Sequence, residues 1–347
     1  MKFNHGVTPA VLLCFACGSS TPANPPTGTG GAGGNSSGAA GAAGGVSGAG
    51  GAAGGVSGAG GAAGVSGASG TACTPDWCGL PTAAAGAALS GVWTDGNNDV
   101  WVVGDGGTIL HYDGTTWTTT TMGMFNLKVV WGLTATDLWA VGDGGTILHW
   151  DGRAWTTSTS GTMANISDIT GTTANDLWVT CDMGTILHWD GTNWKPSASS
   201  GVTVDLAAVW AAGPNDVWAL GDMGTIVHWN GTSWKPSTSG SVQNLGGIWG
   251  SSPSDIWVTG KFGTILHWTG SNWSVVPSPA AFDINGLWGS GPNDVWAAAD
   301  SGGLFHWNGT AWTASMAGSM TNFASVAESS PSNVWAVGDA GIIVHHK

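Results

Sequence analysis

The sequence predicts an all-β chain: a seven-bladed β-propeller of four-stranded antiparallel blades, its ring closed by the N-terminal strand around Trp77. Three observations predict it. First, a tripeptide of two apolar residues and a histidine recurs seven times, with His111, His149, His188, His228, His267, His306 and His345 spaced 38 to 40 residues apart. Second, a tryptophan stands ten residues before each of these histidines, from Trp101 to Trp335, and another six residues after the first six, from Trp117 to Trp312. Third, the seventh copy stops just past its third strand, while Trp77 stands before the first copy in fourth-strand register. It lies 16 residues before Trp93, and the corresponding gaps are 14 at Trp117–Trp131, 16 at Trp194–Trp210 and 15 at Trp234–Trp249. A repeat split in this way closes a ring and removes an exposed strand edge.

The elements follow from the N-terminus. Residues 1–16 read as a secretory signal peptide, with one Lys and a short apolar run from Val7 to Ala16 that is too short to span a bilayer. Ala16-Cys17 resembles the processing site of a bacterial lipoprotein signal, which makes Cys17 the lipidation candidate; ordinary secretion is the alternative. Both place the chain in a bacterial cell envelope or outside it. Residues 17–72 are rich in Gly, Ala and Ser, and the decamer GAAGGVSGAG at 41–50 repeats at 51–60. Such a segment cannot bury enough apolar surface to offset its ordering entropy, so it is predicted to be a disordered linker with a reach of roughly 40 Å. The propeller is assigned to 73–347. Cys73 and Cys78 bracket the closing strand and predict a disulfide in an oxidising compartment. Cys181 stands where most copies have Gly and reads as a small buried filler.

One copy shows the strands. In the fourth, LAAVWA from Leu206 is a first strand and AGPND a turn. VWALGD is a second strand, MG a tight hairpin, TIVHWN a third strand, GT a turn, and SWKP opens the fourth. This assignment places all 24 Trp: five end first strands, seven lie in second strands, five follow the repeat histidine and seven lie in fourth strands, Trp77 included. Each is read as a packing residue between blades.

Composition excludes some partners. The formal net charge is −14, and Arg153 is the one arginine. Nucleic acid needs a basic face to displace counterions, and this chain offers none. An anionic membrane surface is disfavoured for the same reason, leaving the lipid anchor as the expected membrane contact.

The run WAVGDGGTILHWDGRAW from Trp139 resembles the bacterial neuraminidase, or Asp-box, repeat class, and more specifically propellers of the photosystem II assembly-factor type. His149 to Trp155 keeps the Asp, Gly and Trp of that hairpin, is one residue shorter, and has His in place of Ser. The resemblance covers about 77–347 and implies the fold; propellers host unrelated activities. A sialidase of this class needs three arginines and a tyrosine nucleophile, whereas this chain has one Arg and one Tyr, Tyr112. Galactose-oxidase-like copper chemistry fails on the same tyrosine count. The basic patch of the assembly factors is also missing.

No catalytic, metal or cofactor set is predicted. The seven histidines sit one per blade, away from the axis, and do not converge; His–Trp–Asp sets in such repeats fix a blade. Asp99, Asp137, Asp176, Asp216, Asp255 and Asp294, before second strands, read as turn caps. So do Asp105, Asp143, Asp182, Asp222, Asp300 and Asp339 at the hairpins after them. Asn126, Asn165, Asp205, Asn244, Asp283 and Asn322 precede first strands and should ring one mouth of the channel, where an ion, a sugar or water could sit. The methionines beyond Met1 all fall, on this strand assignment, in the loops between blades or the hairpins between second and third strands, which share a face. Met183, Met223 and Phe262, with Lys261 beside it, occupy hairpin positions that are Gly in the first two copies. They are the partner-binding candidates. The leading expectation is a monomeric, non-enzymatic binding or scaffold module presenting this face to a protein or glycan. The alternatives are a lectin-like propeller and a hydrolase of unknown type using acids at the channel mouth, Asp205 and Asp283.

Overall fold

The computed structural model describes residues 73–80, 86–96 and 99–346. The signal peptide, Cys17 and the linker lie outside these residues. Seven four-stranded antiparallel sheets form seven blades, six of them continuous in sequence. Blade 2, for example, comprises Leu127–Thr134, Asp137–Gly142, Ile147–Trp150 and Trp155–Thr157. The seventh blade takes Phe323–Ser330, Asn333–Gly338 and Ile343–His346 from the C-terminal end and Trp77–Gly79 from the N-terminal end. Its closing strand pairs Trp77 with His346, Cys78 with His345 and Gly79 with Val344. A disulfide joins Cys73 to Cys78 beside this pairing.

The second strands are the most apolar stretches of each blade, and the innermost strands pack against one another around the ring. The first strands run past the tryptophans that were expected to end them, by three residues after Trp131, Trp210, Trp249 and Trp288, because these rings pack across blade boundaries within the strand. Trp93 donates its indole N–H to Gly132 O of the next blade at 3.1 Å. A Cβ placed on Gly171, Gly250 or Gly289 would stand 2.8 to 2.9 Å from the ring of Trp131, Trp210 or Trp249 respectively. A tryptophan at this position thus packs on a glycine of the next blade, except that Trp288 of blade 6 is followed by Glu328 in blade 7. Where Thr170 replaces the tryptophan, Ala211 replaces the glycine.

Further out, the second-strand tryptophan of each blade meets aromatic rings of the following one. Trp139 lies 5.3 Å from Trp189 and 5.8 Å from Trp194. The same contacts close the ring: Trp335 of blade 7 reaches Trp117 of blade 1, and the buried Trp77 packs edge-on to Trp296 of blade 6 at 5.5 Å. The five tryptophans after the repeat histidines are only half-buried, and the indole N–H groups of Trp150, Trp189, Trp268 and Trp307 bond carbonyls of the 1–2 turns in their own blades.

Candidate binding face

The repeat histidines settle into a fixed local frame. Each stacks on the tryptophan opposite it in the second strand, as His267 does on Trp257 with ring centroids 4.0 Å apart. In the first six blades histidine Nε2–H donates to the aspartate before that strand, at 2.6 to 2.9 Å. In the seventh, Asn333 takes the place of the aspartate. These aspartates are therefore more than the turn caps read from the sequence; they orient a histidine ring against an indole. Burial works to raise the carboxyls of Asp176 and Asp255, but the bonds from His188 and Thr172, and from His267 and Ser251, hold both below the usual carboxylate range. Spread one per blade, the sets do not converge.

The opposite ends of the same strands behave differently. Between second and third strands every blade makes a three-residue turn whose middle residue has left-handed backbone. Gly106 and Gly144 have φ 62°, Met183, Met223 and Phe262 φ 55°, Ser301 56° and Ala340 57°. For a side chain with a Cβ this region costs roughly 1–2 kcal/mol. Met183, Met223 and Phe262 are nonetheless 70%, 65% and 72% exposed, so burial does not offset that cost.

The six predicted rim residues explain how the turn persists. Asn126, Asn165, Asp205, Asn244, Asp283 and Asn322 each accept, through side-chain Oδ1, the amide N–H of the left-handed residue one blade back, at 2.8 to 3.0 Å. Their carbonyls accept the N–H of residues 143, 182, 222, 261, 300 and 339 in their own blades. They do stand at the starts of the inner strands, but each is a clamp between neighbouring blades rather than a free polar ring. Asp205 and Asp283 are both engaged this way, and Asp283 also accepts from Lys261 Nζ at 2.6 Å. Before blade 1 the clamp position holds Ala88, which has no side-chain acceptor for Ala340.

Apolar side chains gather on this face. Of the exposed large hydrophobic residues, Met124, Phe125, Met163, Val242, Phe282 and Met320 lie in the inter-blade loops and Met183, Met223 and Phe262 in the hairpins. Met316 ends a fourth strand instead of lying in a loop, although it pairs with Gly303 beside the hairpin and stays on the same side. Met122 is half-buried against the core. Between the hairpin of blade 2 and the inter-blade loops before and after that blade lies a groove of about 620 Å³, lined by Met122, Phe125, Gly144, Ile147, Leu148 and Met163 among others.

Two buried acids escaped the sequence reading. Glu328 stands where Gly132, Gly171, Gly250 and Gly289 stand in other blades. It is 1% exposed and lies beside the Asp294 carboxylate and the Ser290 hydroxyl. Burial first, then the neighbouring Asp294 carboxylate, push it up to about 9. Asp168 is fully buried and raised, yet satisfied by the N–H groups of Ile169 and Val209. Aligning the copies position by position would have exposed both, since each breaks a column of small or apolar residues. Cys181 is buried, and burial pushes its thiol up to about 12.

No protein-family model matches the chain, and no curated protein matches it either. Solved structures do. A YCF48 structure with bound D1 peptide superposes with a TM-score of 0.65 at 19% identity, covering 79% of this chain and 95% of that one. YCF48 from Cyanidioschyzon merolae gives 0.63 at 17% identity, over 78% and 98% of the two chains. A catalytically inactive virginiamycin B lyase from Staphylococcus aureus, with quinupristin, gives 0.67 at 12% identity over 78% and 98%. At such identities the likeness is one of fold: a seven-bladed propeller that serves binding proteins and an enzyme alike.

Proposed function

We propose that the chain is a protein-binding propeller that engages its partner through the hairpin face, with Met183, Met223, Lys261 and Phe262 at its centre. One observation carries this reading. Three bulky side chains occupy backbone positions where glycine is cheapest, and they point into solvent. Strain kept at an exposed position without a packing return marks a site of use. Methionine and phenylalanine suit a surface that adapts to an apolar partner. A propeller of similar fold holds a peptide, which supports a protein partner over a glycan. The half-buried tryptophans after the repeat histidines favour the same choice, because their rings already pack against the preceding blade.

The test is capture from cell-envelope extract by the full chain and by the triple variant M183G/M223G/F262G. Glycine relieves the backbone cost, so the variant should unfold at equal or higher denaturant while losing its captured protein. A variant that is more stable and captures equally well removes this face from the reading. Cys17 lipidation and envelope tethering are part of the proposal. Palmitate labelling should vanish in C17S, and labelling that persists would refute the anchor.

A further inference from the structure

The hairpin face carries charge as well as apolar bulk, and the two are arranged unequally. The residue that opens each hairpin turn is Asp105, Asp143, Asp182, Asp222, Asp300 or Asp339 in six blades and Lys261 in the other. These residues sit beside the starts of the inner strands, tied there by their backbone N–H groups. They are close enough to sense one another around the ring: Asp105 feels the charges of Asp143 and Asp339, and Asp222 those of Asp205 and Lys261. Among the described residues the basic groups on this side are Lys128, which pairs with Asp143 at 2.9 Å, and Lys261. The clamp residues Asp205 and Asp283 add two more carboxylates, so the mouth is strongly acidic inside a rim of Met and Phe.

The groove in blade 2 adjoins this mouth directly. Gly144 follows Asp143, and a Cβ at Gly144 would stand 3.2 Å from the ring of Phe125. The hairpin of blade 2, which keeps glycine beneath an aromatic side chain, thus borders an apolar groove next to a carboxylate.

We propose that this groove and mouth receive a peptide segment of the partner in which a lysine or arginine adjoins a large apolar side chain. The apolar residue settles against Phe125, Met122 and Met163. The cation reaches the aspartates at the mouth, where charge complementarity selects it over an acidic segment. This rests on the protein-binding reading and names the chemistry of the partner's contact.

The probe is a bead library of hexapeptides built from Arg, Glu, Phe, Leu, Ser and Gly, incubated with the fluorescently labelled full chain. Bound beads should be enriched at least fivefold in sequences with Arg next to Phe or Leu. D105N/D143N/D339N should abolish the Arg preference and leave the Phe and Leu preference. D113N/D151N/D190N removes equal charge from the opposite face, at turns where Asn230 and Asn308 already do the same capping, and should change nothing. Gly144→Met, a residue that blades 3 and 4 already carry at this turn, should abolish the Phe and Leu preference. Enrichment of Phe and Leu without Arg overturns this inference and spares the protein-binding reading. Enrichment of Arg without Phe or Leu, or no effect of Gly144→Met, overturns the groove. No enrichment at all overturns both.

Discussion

The two faces of the propeller are built from the same repeats and have diverged to different degrees. On the side of the 1–2 and 3–4 turns, the blades repeat one solution. Asp113, Asp151, Asp190, Asn230 and Asn308 each cap a turn by accepting two backbone N–H groups, and the histidine–aspartate pairs stand close behind. On the other side the turn residue runs through Gly, Gly, Met, Met, Phe, Ser and Ala. The difference teaches where each turn gets its stability. The first kind depends on its own side chain. The second is held, in six of the seven blades, by an Asn or Asp from the next blade, which grips the turn's backbone and leaves its side chain free to vary. Variation is thus concentrated where it disturbs folding least.

The largest effect should come from breaking the repeated frame at its closure. Trp77→Ala empties a fully buried site that packs on Trp296 and donates to Ser315 Oγ. It should cost about 3–5 kcal/mol in urea unfolding; a loss below about 1 kcal/mol would mean that the closing strand is dispensable. Next comes Glu328. Its proton is held more tightly folded than unfolded, so stability declines as pH rises from about 4.5 toward 9, by at most about 1.4 kcal/mol per pH unit. E328Q should gain on the parent by on the order of 2 kcal/mol between pH 6 and 8, and parallel stability curves would disprove it.

Asp255→Ala should cost about 1–3 kcal/mol by leaving His267 without its acceptor. The pH sign is opposite here. The Asp255 carboxyl lies below its ordinary value, so its contribution is present at neutral pH and fades as the solution is acidified. The parent-minus-variant difference should therefore shrink toward pH 2 in the same unfolding assay. The smallest effect is on the variable face. Met223→Gly should stabilise by about 0.5–1 kcal/mol, the left-handed cost less the added freedom of glycine in the unfolded chain. If it destabilises instead, the methionine packs more than its exposure suggests.

Blade number, strand order and the split seventh blade were legible because they rest on spacing, which survives any local substitution. The histidine frame was legible as structural, but not its aspartate partner: residues twelve apart in sequence meet only once the hairpin register is known. The rim residues were placed correctly at the inner strands and misread as a free ring. Their partners lie 20 to 22 residues back, across a blade boundary, where no local pattern points. The apolar hairpin positions were visible as departures from the repeat. That they carry backbone strain was not, since Met and Phe give no hint of a positive φ. Glu328 showed only as a departure from a column of glycines; that this acid is buried beside Asp294 follows from the fold and not from its local sequence.

The disulfide beside the closing strand has a mechanical consequence. Cys73 is bonded to Cys78, and Cys78 pairs with His345 in the middle of that strand. Tension arriving along the chain ahead of Cys73 has two routes onward: the backbone through Thr74 to Trp77, or the shorter covalent bridge. The bridge takes the load. A pull therefore enters the sheet at its central pair instead of unzipping Trp77 from His346 first, and the turn that seats Trp77 is spared. Any load on the chain ahead of Cys73 thus reaches the seventh blade through a shackle rather than a loose thread.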